Sequence, residues 1–294
     1  MVSFRNAFKW RFDQMKSIIF DPLNEIKQLL ETTYQEINKS SISNDKQIHS
    51  IRVMSKKLRS LLYLIKPFFD DKEFLKDQNQ FYKELSKNLS SERETKVMHD
   101  TFQWLIKKSK LSKDSFEEIQ NTLRQNLENR ADTDISQKLQ ISKQSMMIAL
   151  DTIDEQKRAN YTIKDLKSGF FKTYKKARDT LHLALMTKEI EDIHLFRKYA
   201  KYHMYQIQLL SNQLRRSKKR TKDLDKLTSL LGRSHDLALF AEYLHNNTNL
   251  TNYDMLISCA SKEQKKLTKE ALKRAKKAFR HRPKKLKIFK DHNH

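Results

Sequence analysis

Apolar residues recur at helical spacing along nearly the whole chain, and the polar positions between them divide it into a series of predicted helices. Phe4, Phe8, Phe12, Met15 and Ile19 step by four and three with basic residues between them. This spells an amphipathic helix over residues 1–20, which either docks on the main body or lies on a membrane surface. Asp21-Pro22 predicts the next helix start, with Leu23, Ile26, Leu29, Leu30, Tyr34 and Ile37 as its apolar face. Polar residues 40–44 make a link. A helix then runs to about Pro67 and gathers Ile51, Met54, Leu58, Leu61, Leu62 and Ile65 on one face. A third helical region begins near Lys72, loosens at Ser90-Ser91 and resumes through Val97, Phe102, Leu105 and Ile106. Residues 112–129 and 132–156 predict two more, the second with Met146 and Met147 as core filler.

The charged residues 154–160 are the best boundary in the chain. Beyond them Phe170, Tyr174, Ala177 and Leu181 share one helix face, opposite Lys172, Lys175 and Lys176. Phe196, Tyr199, His203, Ile207 and Leu210 mark the next apolar face, followed by the basic run 215–220 and a helix over about 224–243. The last helix, about 253–280, is strongly basic. Pro283 ends it, and Lys284, Lys285, Lys287 and Lys290 follow in a tail expected to be mobile.

Composition narrows the fold class to all-α. There are two glycines and three prolines in 294 residues, too few for the turns of a sheet protein of this size, and Lys, Leu, Glu and Gln abound. The length supports one large core or two smaller ones. The formal charge of +24 repels itself and recruits anions, so the partner should be a polyanion or an anionic surface. The lone Cys259 rules out an internal disulfide and fits a reducing compartment. No run is apolar enough to span a membrane, and Arg5, Lys9, Arg11 and Lys16 interrupt any signal-peptide core. The expected location is cytoplasmic.

The polar face of the second helix carries the candidate chemistry. Wound at about 100° per residue, Arg52, Lys56 and Arg59 fall within about 80° of His49, opposite the apolar face. The spacing returns downstream as His194, Arg197 and Lys201. A second pair of segments repeats as well: Leu89-Ser90-Ser91-Glu92-Arg93-Glu94 resembles Leu231-Gly232-Arg233-Ser234-His235-Asp236, each about forty residues after its histidine. Two copies of both elements point to an internal duplication. The chemistry suits phosphate. Arginine clasps two oxygens, lysine brings a compact charge, and histidine donates from both ring nitrogens once an anion raises its pKa. Successive helical turns present such donors about 5.4 Å apart, along which a linear chain of phosphates could be tracked. The plainer reading of each histidine is a packing or hydrogen-bonding residue between helices. There is no His-Glu-x-x-His, no cysteine pair and no glycine-rich phosphate loop. His49, His99, His194 and His235 lack carboxylates at ligand spacing, so neither catalysis nor a metal is expected.

These motifs resemble the CHAD family, the conserved histidine α-helical domain, over roughly residues 20–280. The first-half motif stands here as His49, Arg52-Val53, Lys56-Lys57, Leu58 and Arg59, and the Leu-Gly-x-x-Arg-Asp element as Leu89, Arg93 and Glu94, with Ser90 in the glycine's place. In the second half, Tyr174, Lys175, Lys176 and Arg178 match a Tyr-basic-basic-x-Arg element. Ile193, His194, Arg197, Lys201 and Tyr205 match the second histidine element, and Leu231, Gly232 and Asp236 the last. The resemblance implies two pseudo-symmetric four-helix bundles, residues 21–158 and 159–280, around a basic central channel that binds inorganic polyphosphate, with residues 281–294 as a basic tail. The channel lining it implies comprises His49, Arg52, Lys56, Lys57, Arg59, Arg93, Lys172, Tyr174, Lys175, Lys176, Arg178, His194, Arg197 and Lys201. No cofactor is implied, and an association with polyphosphate granules would follow. Some members carry a fused triphosphate tunnel domain with a Glu-x-Glu-x-Lys strand. Here Glu189-Ile190-Glu191 has Ile193 in the lysine's place and reads as helix, so a stand-alone, non-catalytic binding domain is expected. The alternatives are RNA or another nucleic acid, favoured by the basic tail, and a phosphohydrolase, for which no acid/base pair is evident.

Overall fold

The computed structural model describes residues 20–129, 132–156, 161–247 and 250–290. The amphipathic segment with Phe4, Phe8, Phe12, Met15 and Ile19 lies outside the described residues, as does the end of the 154–160 boundary. Within them the chain is all-α. The helices are α1 (Pro22–Ile37), α2 (Asn44–Ile65), α3 (Lys72–Asn88), α4 (Ser90–Ser109), α5 (Glu117–Glu128), α6 (Asp132–Asp154), α7 (Ile163–Thr187), α8 (Ile190–Leu209), α9 (Ser217–His245) and α10 (Tyr253–Ala278). Among the described residues only two isolated antiparallel bridges form, Phe20 with Tyr161 and Leu214 with Phe289. No described helix is long and apolar enough to cross a membrane.

The helix starts follow local chemistry. Asp21 caps α1 by accepting from the amides of Leu23 (3.0 Å) and Asn24 (3.1 Å), with Pro22 at the first position. Thr162 and Asp165 form a reciprocal capping box on α7. The Ser90-Ser91 loosening is a real break: Leu89 sits between α3 and α4 with φ −102° and ψ 17°.

The larger core joins α1, α2, α3 and α6 to α7, α8, the first half of α9 and the last turns of α10. All six predicted apolar residues of α2, from Ile51 to Ile65, are buried in it, as are Phe196 and Ile207 of α8 and Leu210, which caps its end. A second core joins Phe102, Leu105, Phe116, Ile119 and Leu123 to Leu237, Phe240, Leu244 and Leu256. Helices α2 and α8 meet at buried hydrogen bonds: the Ser60 hydroxyl donates to the Tyr202 carbonyl (2.8 Å), and the Gln206 amide donates to the Ser60 carbonyl (3.1 Å). In an apolar contact these polar groups must pair, so they set one register between the two helices that carry the basic stripes.

Gly169 on α7 lies against the α2 backbone. A Cβ there would stand 1.7 Å from the Leu64 carbonyl oxygen, so only glycine permits this helix crossing. Two expectations are corrected. Met146 is core, but Met147 is 45% exposed on the outer face of α6, because one helical step carries it about 100° round the helix. The segment after α10, expected to be mobile, is packed down. Leu286, Ile288 and Phe289 are buried, Phe289 lies edge-on to Phe170, and the Arg215 amide donates to the Ile288 carbonyl.

Candidate functional site

The α2–α8 register brings the two basic stripes into one electrostatic neighbourhood. Lys56 of α2 is the clearest sign. Burial first, then Arg52, Arg197, Arg93 and Lys201, push its ammonium down to about 8. Those four cations come from α2, α4 and α8. Arg93 acts in turn on His49, Arg52 and Arg197. Neither Lys56 nor Arg93 has a hydrogen-bond acceptor or ion-pair partner among the described residues.

The remaining members are held in place by protein groups. Arg52 reaches the break between α3 and α4, where its Nη1 donates to the Ser86 carbonyl and to the Ser90 hydroxyl (3.0 Å). The serine in the glycine's place is thus a ligand for this arginine. Arg197 donates from Nε to the Thr228 carbonyl of α9 (3.3 Å), and its guanidinium lies directly over Gly232, where a Cβ would come within 2.9 Å of it. Lys201 donates to Asp225 (3.4 Å) and covers the Tyr205 ring. Asp236 sits among Arg197, Arg93, Arg233 and Lys56, although burial as the largest effect raises its pKa. The carboxylates at this cluster are therefore Glu36, which acts on His49, and Glu94, which acts on Arg52, with Asp225 and Asp236. They are fewer than the cations.

The histidines line the same region. His194 faces His235 of α9 with ring centroids 4.9 Å apart. Burial first, and then Arg93 at His49, His235 ahead of Arg197 at His194, and Arg197 at His235, lower the pKa of all three histidines, which favours their neutral form near pH 7 without a ligand.

The other predicted residues lie elsewhere. Arg59 donates to Asn79 (3.1 Å) beside Lys198 and Lys83. Lys176 and Lys198 cover the Tyr199 ring, which packs on Tyr63. Lys57 lines a small cavity with Leu29, Tyr205 and Gln208, and Lys172 and Lys175 are exposed. Tyr174 is buried, and its hydroxyl donates to the His281 carbonyl (2.9 Å). It is grouped with Arg178, Arg220 and Arg280 rather than with Lys56. Sequence spacing missed Lys198 and His235. His235 occupies the repeat position of Arg93, and that alignment was the available signal; Lys198 lies one residue off the stripe. Among the described residues no three His, Cys, Asp or Glu side chains form a metal-binding group.

The family model of the CHAD domain matches residues 28–245. In overall shape the chain is similar to the crystal structure of the CHAD domain from the plant Ricinus communis, with a TM-score of 0.56 over 88% of this chain and 89% of that one. Sequence identity to that domain is 14%, so the similarity is one of fold. No curated protein matches the chain. The matched residues contain every member of the central cluster and end before α10.

Proposed function

The chain belongs to the CHAD domain family, and from that premise we propose that it binds inorganic polyphosphate, without catalysis, on the cations gathered where α2, α4, α8 and α9 meet. The observation that carries this reading is Lys56. It is largely desolvated, ringed by four cations from three helices and without a protein acceptor. Such a group is destabilising until an anion arrives. A phosphate chain fits because it offers several linked charges to donors that the helices already hold in position, so little ordering accompanies contact. Arg52, Arg93 and Arg197 offer forks, Lys56 and Lys201 compact charges, and His49, His194 and His235 take up protons as the anion approaches. The repeated stripes support the internal duplication and a basic channel between residues 21–158 and 159–280.

A second reading, RNA, is favoured by one observation: Tyr63 and Tyr199 are part-exposed beside Lys176 and Lys198. Stacking on aromatic faces is how single strands are commonly held. Here the Tyr199 face is already covered by two ammonium groups. Titration with long-chain polyphosphate, single-stranded RNA and heparin, in competition at fixed ionic strength, tests the proposal. Polyphosphate should displace the other two. RNA displacing polyphosphate at equal phosphate concentration would assign the site to nucleic acid.

A further inference from the structure

A second group of arginines lies apart from the Lys56 cluster, at the junction of α7, the start of α9 and the segment after α10. The charged groups acting on Tyr174 are Arg178, Arg220 and Arg280, and those acting on Arg220 include Arg216 and Arg280, with Asp223 as its carboxylate. Arg178, Arg216 and Arg220 have no hydrogen-bond acceptor or ion-pair partner among the described residues, and the Arg178 Nε is buried without one. Arg280 donates only to the His281 ring nitrogen (2.8 Å). Arg216 and Arg280 thus repel Arg220, Arg178 shares Tyr174 with Arg220 and Arg280, and the protein supplies little to neutralise the group.

The surroundings are fixed. The Tyr174 hydroxyl holds the His281 carbonyl, and beyond it the Leu214–Phe289 bridge and the buried Phe289 pin the segment that delivers Arg280. Helix α9 opens beside Arg216 with no side-chain cap and no acidic residue in its first turn. Its first amides are therefore open to an acceptor, and its dipole favours negative charge there. Arg178, Arg216 and Arg220 lie within the residues that the family model matches, and Arg280 and His281 beyond residue 245, where that match ends.

We propose that Arg178, Arg216, Arg220 and Arg280 form a second anion site, separate from the Lys56 cluster, that takes a compact ligand with adjacent phosphoryl groups. Four planar forks borne at one junction, which the Tyr174–His281 hydrogen bond and the Leu214–Phe289 bridge hold together, suit a pyrophosphate-like group, whose oxygens accept paired N–H donors, better than a single carboxylate or sulfate. The site stands whether or not the central cluster binds polyphosphate.

The test uses the full chain, inorganic tripolyphosphate as probe, and calorimetric titration with thermal melts. The variants are Arg220→Gln with Arg280→Gln, the exposed Arg216→Gln, and Lys284→Gln with Lys285→Gln as a charge-matched control. The Arg220/Arg280 variant should lose one bound tripolyphosphate per chain. Arg216→Gln should weaken that same site about tenfold without altering stoichiometry. Free of ligand, all three should melt at or above the parent temperature, because like charges have been removed. Unchanged stoichiometry in the Arg220/Arg280 variant would overturn the site, and so would an equal loss in the Lys284/Lys285 control. A ligand-free melting temperature well below the parent in both arginine variants would show a structural cluster instead. Lys56→Gln with Arg93→Gln, titrated in parallel, reports on the central cluster alone, so failure of either assignment is read separately.

Discussion

At the scale of single residues, Arg52 and Lys56 sit one helical turn apart and do different work. Arg52 bonds the Ser86 carbonyl and the Ser90 hydroxyl, so it ties the α3–α4 break to α2. Arg52→Ala should lower stability by about 1–3 kcal/mol through loss of its charged hydrogen bonds, although the Ser86 carbonyl keeps the Ser90 hydroxyl as a donor (3.3 Å), in addition to any effect on ligand. Lys56 and Arg93 have no such partner. Lys56→Gln should leave the ligand-free melting temperature unchanged or raise it at low salt, and should weaken polyphosphate binding. The same residues set the pH dependence. Without ligand, Lys56 is held at about 8, and a bound anion raises it. The Lys56 contribution to affinity is therefore fully present below pH 8 and falls as pH rises through 8 toward the bound value. The histidines, lowered in the free protein, add affinity as pH drops through their bound values, levelling off below their free ones. Dissociation constants measured from about pH 5.5 to about pH 9.5 should trace both steps. A flat profile would remove Lys56 and the histidines from the site. The stripe was legible in the sequence because helical spacing places His49, Arg52 and Lys56 on one face. The separation of Arg178 and Tyr174 from them was not, since it depends on how α7 turns beneath the segment after α10.

At the scale of elements, the two glycines of the chain show how helix packing builds the site. Gly169→Ala would drive a methyl into the Leu64 carbonyl, and α7 would have to move off α2. The expected loss is about 3 kcal/mol or more, measured by denaturant melts. Gly232→Ala meets only the movable end of Arg197. It should hold stability within about 1 kcal/mol, since alanine is the better helix former, yet displace the guanidinium and weaken polyanion binding. The C-terminal segment is the element that sequence reasoning placed worst. Lysines dominate residues 284–290, and charge density reads as mobility, but Leu286, Ile288 and Phe289 alternate with them and are buried. Phe289→Ala should destabilise the chain by about 3 kcal/mol through lost contact with Phe170 and Phe171. Truncation after Leu272 would remove buried Ala275 and Phe279 as well, so it would test folding rather than ligand preference. Most of the α-helices were legible to within a few residues, because apolar periodicity and the Asp21-Pro22 and Pro283 signals are local properties, but α9 starts at Ser217, seven residues before the expected Leu224, because its first two turns are basic and carry no apolar stripe.

At the scale of the whole molecule, +24 of formal charge would attract any polyanion, so a built site has to be distinguished from bulk attraction. Bulk attraction comes mostly from released counterions and should weaken steeply with salt, whichever lysines are removed. A built site should depend on particular cations held by the fold. Composition announced the charge and the all-α class, but it could not show that α4 of the first half delivers Arg93 to Lys56 while α9 delivers Asp236 and His235. Those meetings are set by tertiary packing of elements far apart in sequence. The measurement that tests the central claim most directly is a calorimetric titration of long-chain polyphosphate at one moderate salt concentration. It compares the parent chain with Lys56→Gln plus Arg93→Gln and with Lys107→Gln plus Lys108→Gln, exposed residues in the last turns of α4. Both variants lose two charges. Binding should be at least about tenfold weaker, roughly 1.4 kcal/mol, in the Lys56/Arg93 variant and less than about twofold weaker in the other. Equal losses in the two variants would contradict that claim.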